Sequence, residues 1–500
     1  MFSVLRRHHS APFTPPARLA SLRAAVAVVS ALSALLAGCG GMTPPTLPDD
    51  LPARWTHPAP VVAPGTPAPD LQSWWKSLGD PMLDTLVDEA LMQNLDVARA
   101  GSKLRQARRL ALRNDAQYLP SISANMRSLQ DVSATDSYLH ASLDVTWELG
   151  LFGLRESAQQ MAKAELDNSQ AALQAARVAV VSEVVHQYLA LRAAQRQAAI
   201  TEQLMALDGR AIDLSAVRAR SRIGTGGESD EAAARRAQTA AMLPTARQAA
   251  VRSSQALAVL LGRATPDAAW MSPARQPLLG PVAITQLPSD LLRVRPDVRL
   301  AEAEVLKAAG ELGVANADLY PRISFGASYL YAYNITQNRR TSIGAGQVPA
   351  FGPFIDLPLF DWGLRRARAD AQGEALQASV MAYRQTVLQG ASEAETALSA
   401  LGQQGERLDQ LTNASTALEH RAHGQRGLIA SGLSSDYEQL GYDRAVLLAE
   451  AERSEAQAAR SLAFVDLYKA LGGAPLPDPE TPAITASASA STNIPAAAAK

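Results

Sequence analysis

Apolar and polar residues alternate without a break from Leu139 to Glu148. Leu139, Ala141, Leu143, Val145 and Trp147 fall on one face; His140, Ser142, Asp144, Thr146 and Glu148 fall on the other. A period of two predicts a strand with one apolar and one wet face. The strand spans about residues 138–149, and its hairpin partner, across the polar turn Asp131 to Ser137, spans about 121–130. A second pair is predicted at about 322–335 and 350–359. Ile323, Phe325, Ala327, Tyr329, Tyr331 and Tyr333 share one face there, and Ser324, Gly326, Ser328 and Asn334 the other. Tyrosines of this kind suit the interfacial belts of a membrane β-barrel. The same alternation also fits a soluble antiparallel sheet packed on helices.

Elsewhere the period is helical. Leu83, Leu86, Val87, Ala90 and Leu91 mark an amphipathic helix from about Pro81 to Gln117, with Asp80 placed to cap it. Its counterpart runs from about Ser289 to Leu319, and both stop just before a proline, Pro120 and Pro321. From Gly153 to about Arg222 there is no proline, nor is there any from Asp361 to Gly473. The first of these segments, and the second as far as about Arg426, each predict one helix of ~100 Å. Ala171, Ala172, Ala175, Ala176 and Ala179, then Ala391, Ala394, Ala397 and Ala400, imply close coiled-coil packing. Glycine-containing breaks follow at Gly224–Gly227 and Gly427–Gly432. Return helices then run from about Ser229 to Leu261, with Pro244 expected to kink the first, and from about Ser434 to Leu471.

These elements form a repeat of about 200 residues. Asn114 to Ser123 matches Val314 to Ser324; Leu151-Phe152-Gly153-Leu154-Arg155 matches Leu359 to Arg365; Ser229-Asp230 answers Ser435-Asp436; and Leu261-Gly262 answers Leu471-Gly472. The repeats span residues 71–262 and 289–473, joined by a proline-rich linker at 263–288. Four strands cannot close a barrel, and a sheet edge cannot stay unpaired in lipid. If the hairpins enter a membrane, the barrel is shared between chains, and three chains would supply about twelve strands, an even number as in bacterial outer-membrane barrels.

The amino terminus reads as an address. Arg6, Arg7, Arg18 and Arg23 precede the apolar stretch Ala24 to Leu36, which predicts a signal peptide over residues 1–38. Leu36-Ala37-Gly38-Cys39 resembles a bacterial lipobox, which makes Cys39 the lipidation site. Gly40, rather than aspartate, follows it and resembles an outer-membrane address. Residues 39–70 form a Pro/Ala-rich tether, and residues 474–500, rich in Ala, Ser, Thr and Pro, are expected to be disordered.

Composition narrows the function. The chain has 500 residues, a net charge of −1 and 5% aromatics, so it lacks the basic excess of a nucleic-acid binder. Its single cysteine excludes an internal disulfide, and of seven histidines only His420 and His423, at i,i+3, could face one way, with no acid or cysteine to complete a metal site. No nucleophile–base set or phosphate loop is present, so neither an enzyme nor a cofactor is expected. Asp144 and Glu148, on the polar strand face, are candidate pore-lining residues.

Trp74-Trp75 with Leu78-Gly79-Asp80-Pro81-Met82-Leu83, then Arg295-Pro296-Asp297-Val298-Arg299 with Ala301-Glu302, Gly313-Val314-Ala315 and Tyr320-Pro321-Arg322-Ile323, and Leu359-Phe360-Asp361-Trp362-Gly363 resemble the signatures of the TolC family of outer-membrane efflux proteins, NodT-type lipoproteins in particular. The resemblance implies an all-α fold with a small β part: a long periplasmic α-helical barrel plus a trimer-shared twelve-stranded β-barrel, internally duplicated. It implies a homotrimer anchored in outer-membrane lipid, and a passive gated exit duct for small molecules such as drugs. A periplasmic adaptor (membrane fusion protein) and an inner-membrane efflux pump would be its partners. The exit duct of a type I protein-secretion system is a variant within the family, and a structural periplasmic coiled-coil lipoprotein is the reading outside it. Relatives gate with acidic rings and salt bridges at the periplasmic tip. That makes Asp230 and Asp436 gate candidates with Arg222 and Arg426 as tethers, and makes the turns at Gly224, Gly226, Gly427 and Gly432 adaptor contacts. The chain departs from the family at Gly150, where many relatives carry an acidic residue.

Overall fold

A computed structural model of the chain describes residues 46–47, 70–130, 137–280, 292–334, 339–340 and 350–476. The expected signal peptide, Cys39, the tether to residue 69 apart from residues 46–47, and the tail beyond Leu476 lie outside the described residues. The helices are α1 (Pro81–Gln93), α2 (Leu95–Ala111), α3 (Leu154–Arg220), α4 (Gly226–Leu260), α5 (Pro296–Ala317), α6 (Leu364–Ala430) and α7 (Asp436–Ala470). The strands are β1 (Ser121–Gln130), β2 (Ser137–Glu148), β3 (Arg322–Asn334), the two-residue β4 (Arg339–Arg340) and β5 (Ala350–Asp356). None of the described helices is long and apolar enough to cross a membrane.

The duplication is metrical. From the strand–helix junction onward the two halves keep a constant offset of 210 residues: α3 and α6 run from 154 and 364 to 220 and 430, and α4 and α7 from 226 and 436 to 260 and 470. The left-handed backbone positions keep the same offset, at Phe152 and Trp362, Gly153 and Gly363, Arg222 and Gly432, and Gly262 and Gly472. Before the hairpins the offset is 201, from Ser121 to Arg322.

One compact unit comprises Ala111–Ala162 and Leu306–Gln377. Its sheet is antiparallel, in the order β1-β2-β3, with β4 and β5 both paired to the far side of β3. The register matches like with like. Leu139, Ala141, Leu143, Val145 and Trp147 oppose Tyr333, Tyr331, Tyr329, Ala327 and Phe325, while Asp144 and Glu148 oppose Ser328 and Ser324. One face is therefore continuously apolar across strands, as period-two pairing requires. The last strand stops at Asp356, short of the expected residue 359, because its partner β3 begins opposite it at Arg322, directly after Pro321, and offers no ladder beyond that point. Gly150 follows β2 with φ +61°, and a Cβ there would lie 2.6 Å from the Tyr118 ring, so glycine fits where the family's acidic residue would not.

The other unit holds the remaining described residues. Its core packs Leu83, Leu86 and Val87 of α1 against Val181, Val184, Tyr188 and Leu191 of α3 and Phe464, Leu467 and Tyr468 of α7, with Trp74 among them. Tyr188 donates from its hydroxyl to Asp80 Oδ2 at 2.6 Å, while Asp80 Oδ1 caps α1 by accepting from the Met82 N–H at 2.9 Å. Burial first, then the Asp80 carboxylate, push the Tyr188 hydroxyl up to about 12. The unfolded phenol ionises near its ordinary 10.0 while the folded one stays protonated, so the fold binds the extra proton. Stability contributed by Tyr188 should be intact below pH 10, fall as pH rises from 10 to about 12, and level off above. Tyr188→Phe should flatten part of that slope in alkaline unfolding titrations; an unchanged slope would refute the assignment.

The single helix expected from Pro81 to Gln117 is instead two. Asn94 leaves the helical region (φ −64°, ψ 131°), and its Oδ1 accepts from the Asp96 and Val97 N–H groups, so it ends α1 and caps α2. Its Nδ2 donates to the Leu260 carbonyl at 2.9 Å, which satisfies the end of α4. Asn94→Ala should cost about 1–2 kcal/mol, a lost cap plus an orphaned carbonyl, read as a lower unfolding midpoint. Pro244 does not end α4, which continues through it.

Candidate functional site

The polar face of the sheet carries the first candidate region. Asp144 Oδ2 accepts from Asn125 Nδ2 at 2.9 Å and Ser142 Oγ at 2.7 Å, and its Oδ1 accepts from Ser328 Oγ at 2.6 Å. The carboxylate thus cross-links β1, β2 and β3 along the wet face. Glu148 lies four residues further along β2, on the same face, opposite Ser324. Phe354, which sequence reasoning did not single out, shares this face by its pairing with Ser324. Its ring lies over Gly326, where an added Cβ would meet Cε2 at 2.3 Å. The absence of a side chain at Gly326 is what leaves room for the Phe354 ring on this face.

The second region is the pair of helical turns. After α3, the Ile223 N–H donates to the Arg218 carbonyl at 3.0 Å and the Arg222 N–H to Ala219 at 3.1 Å. After α6, Leu433 donates to Leu428 and Gly432 to Ile429, each at 2.9 Å. Both are Schellman stops, which need a left-handed residue. Gly432 fills that position in the second turn, but Arg222 fills it in the first, at φ 57°. Arg222→Gly should raise the unfolding midpoint, worth about 0.5–1 kcal/mol once glycine's extra chain entropy is set against the left-handed strain. Gly432→Arg should lower it.

These turns correct the alignment of Ser229-Asp230 with Ser435-Asp436. Thr225 precedes α4 as Ser435 precedes α7, so Asp436 corresponds to Gly226, while Asp230 corresponds to Leu440. Matching residue letters misled because the two turns use different residues for one geometry. Asp230 and Asp436 are both exposed. Arg426 binds Asp443 Oδ1 at 2.9 Å, rather than Asp436. Gly427 lies inside α6, Gly226 opens α4, and Gly224 and Gly432 lie in the turns themselves. Beside each turn stands an apolar side chain open to solvent, Ile223 (71% exposed) and Leu433 (76%). The turns neighbour one another, since the Arg218 guanidinium sits 4.7 Å from the Tyr437 ring centroid and its Nε lies 3.3 Å from Glu228 Oε2.

Two charged clusters escaped sequence reading. Asp208 of α3, 2% exposed, accepts from Thr239 Oγ1 of α4 at 2.9 Å and from Arg444 Nε of α7 at 3.2 Å. Arg295 is buried before α5. It donates to Asp297 Oδ2 at 2.6 Å and Glu393 Oε2 at 2.7 Å, and to the Ala470 carbonyl. Burial works against its charge, yet the Asp297 and Glu393 carboxylates outweigh this and hold its pKa above the ordinary value. Arg295 does for the end of α7 what Asn94 does for the end of α4. Among the described residues no group of three or more His, Cys, Asp or Glu side chains is placed to hold a metal ion.

A duplicated sheet with one wet face and one apolar face, followed in each half by a 67-residue helix and a 35-residue return helix, is the architecture of an outer-membrane channel protomer. The outer-membrane channel OprN has a similar solved structure: TM-score 0.74, 29% identity, 88% of this chain and 100% of that one covered. The open-state MtrE outer-membrane channel of Neisseria gonorrhoeae gives a TM-score of 0.73 at 25% identity, with 88% and 100% covered. Among curated proteins, the pyoverdine export outer membrane protein OpmQ of Pseudomonas aeruginosa is 28% identical over 473 residues, covering 88% of this chain and 95% of that protein. The family model for outer membrane efflux protein matches residues 86–263 and 287–473. The chain belongs to the outer membrane efflux protein family, a family of channels rather than enzymes, and it is an outer-membrane efflux channel.

Proposed function

We propose that the chain works as a homotrimer, with lipid-modified Cys39 fixing it to the outer membrane, and forms a passive exit duct for small molecules that receives cargo through a periplasmic adaptor from an inner-membrane pump. The observation that carries this reading is the sheet. It has a continuous apolar face for lipid, a wet face centred on Asp144, and outer edges on β1 and β5 with no partner strand among the described residues. Open edges cannot persist in lipid, so the barrel closes only by sharing. Asp144 and Glu148 then face the lumen, with Phe354 beside them. Export of pyoverdine by a relative favours small molecules over proteins as cargo.

The adaptor docks on the two turns. Ile223 and Leu433 present the apolar surface a helical hairpin could cover, and the glycines Gly224 and Gly432 keep side-chain bulk away. Asp230 and Asp436, exposed near the starts of the return helices, provide acidic rings when repeated three times. Arg426, held by Asp443, and Arg222 border those rings rather than pairing with them.

Single-particle imaging of the mature lipoprotein in mild detergent tests the reading. A three-fold cylinder with a detergent belt at one end is expected, together with increased drug susceptibility when the chain is deleted. A monomer, or a compact particle without a lumen, would overturn it in favour of a structural lipoprotein.

A further inference from the structure

Ser461 is wholly buried in α7, yet its Oγ has no hydrogen-bond partner among the described residues. A helical serine can satisfy its hydroxyl on the carbonyl one turn back, as Ser182 of α3 does on Val178 at 2.7 Å. Ser461 does not. A buried hydroxyl left unpaired destabilises the fold, so an orphan of this kind calls for an explanation. Ser461 also lines a cavity of about 240 Å³ inside the helical unit.

The sequence builds that cavity from three sides. On α7, Arg453, Gln457, Arg460 and Ser461 fall at i, i+4, i+7 and i+8, which is one helix face. Leu408 of α6 lies across from them. The third side is the segment between the repeats, tied to α7 by two sets of hydrogen bonds. Gln276 Nε2 donates to the Ser454 carbonyl at 3.2 Å, and Ser454 Oγ donates to Gln276 Oε1 at 2.9 Å. Arg460 donates to the Leu279 carbonyl at 3.1 Å and to the Gly280 carbonyl at 3.4 Å. Between these ties Leu278 and Leu279 supply the wall, Leu279 buried and Leu278 open to solvent.

The lining therefore holds two guanidiniums and no carboxylate. Arg460 donates only to neutral carbonyls, and Arg453 has no hydrogen-bond or ion-pair partner among the described residues. Arg444, on the same helix, shows the contrast, since it finds Asp208 at 3.2 Å. One small cavity thus combines an unpaired guanidinium, an orphaned buried hydroxyl and three leucines.

We propose that this cavity binds a small amphipathic carboxylate. The head lies against Arg453, whose planar fork matches a carboxylate, with the Gln457 amide and the Ser461 hydroxyl as further donors. The apolar part covers Leu278, Leu279 and Leu408. A bare inorganic anion would leave the leucines uncovered, and a neutral apolar molecule would leave the guanidinium and hydroxyl unpaired. Because the inter-repeat segment forms one wall, an occupied site holds that segment against both α6 and α7.

Fluorine NMR of a trifluoromethyl-tagged hexanoate tests this, using the full mature chain in maltoside detergent against a detergent-only blank. Saturable broadening of the signal is expected. Arg453→Gln should weaken binding about tenfold or more, the loss of one charge-assisted pairing. It should leave the unfolding midpoint unchanged, because this guanidinium has no partner to lose. Ser461→Ala should raise the midpoint of the unliganded chain by removing an orphaned hydroxyl, and should also weaken binding several-fold. A serine with a structural role alone would move the midpoint and leave binding as it was. Hydrogen exchange at residues 276–280 should slow on binding, and should fail to slow in Arg453→Gln. Acetate, which lacks the tail, should compete at least about tenfold less well than untagged hexanoate. No saturable binding, or binding that Arg453→Gln leaves intact, would overturn the site. Hexanol competing as well as hexanoate would mean a cavity indifferent to the head, and inorganic phosphate doing so would mean one indifferent to the tail. Either result would overturn the assignment to amphipathic carboxylates.

Discussion

Trp74→Ala should destabilise the helical unit by about 3–5 kcal/mol, the range for emptying a large aromatic site in a packed core. Trp74 is wholly buried. Its ring stacks on Tyr468 at 5.6 Å, meets Phe464 edge-on at 5.8 Å, and its Nε1–H donates to the Gly473 carbonyl at 3.0 Å. Truncation removes the apolar burial, leaves a cavity and strips a buried carbonyl of its donor. Trp74→Phe keeps most of the volume, so its cost should be nearer 1–2 kcal/mol, mainly the orphaned carbonyl. Denaturant unfolding followed by far-ultraviolet dichroism separates the two. Equal losses would mean that the hydrogen bond, rather than packing, dominates. The chain segment after α7 should be freed along with it, because Gly473 is threaded so closely that an added Cβ would lie 2.9 Å from the Trp74 ring.

Arg444→Met should cost about 3 kcal/mol, and Asp208→Asn distinctly less. The asymmetry follows from burial: the Asp208 side chain is 2% exposed whereas Arg444 is 29% exposed. Removing the arginine strands a carboxylate in the protein interior with the Thr239 hydroxyl as its remaining side-chain partner among the described residues, which is the costly half of breaking a buried pair. Removing the carboxylate leaves a guanidinium that water can still reach. Asp208→Asn in the Arg444→Met background should therefore recover a large part of the loss. A double-mutant cycle on thermal unfolding measures this, and strict additivity of the two losses would refute the coupling. Hydrogen exchange should quicken at the same contact, where Ala211, Ala232 and Leu440 pack three helices together.

What the sequence made legible was whatever a short window can hold. The alternation of Leu139 to Glu148 fixes β2 and its apolar face, because strand facing is set residue by residue. The long helices were readable from the absence of proline. The fold class, the duplication and the family followed from motifs that lie within a few residues of one another. What escaped depends on distant partners. Asn94 looks like an ordinary polar position in a helix until the Leu260 carbonyl, 166 residues away, is placed against it. Asp208 is one acid among many on α3 until Arg444 arrives from 236 residues on. Arg295 stood within a recognised signature, but its role needed the Ala470 carbonyl and Glu393. The misplaced match of Asp230 with Asp436 has another cause. Turn geometry, rather than side-chain identity, is what the two halves share there, and an arginine and a glycine occupy the same backbone conformation.

The constant spacing of the two halves limits how the gene can change length. Helices α3 and α6 are both 67 residues long and end in turns that touch through Arg218 and Tyr437. Loss of one heptad from α3 alone would withdraw its turn by about 10 Å relative to its neighbour. In-frame insertions and deletions in these helices should therefore survive only as matched pairs, one in each half. The hairpins carry no such constraint, and they already differ in span by the difference between 201 and 210. Length variation among natural variants should accumulate in the strand-to-strand loops and be nearly absent from the long helices. The duplicated gene thus behaves as two copies still bound to edit each other in step.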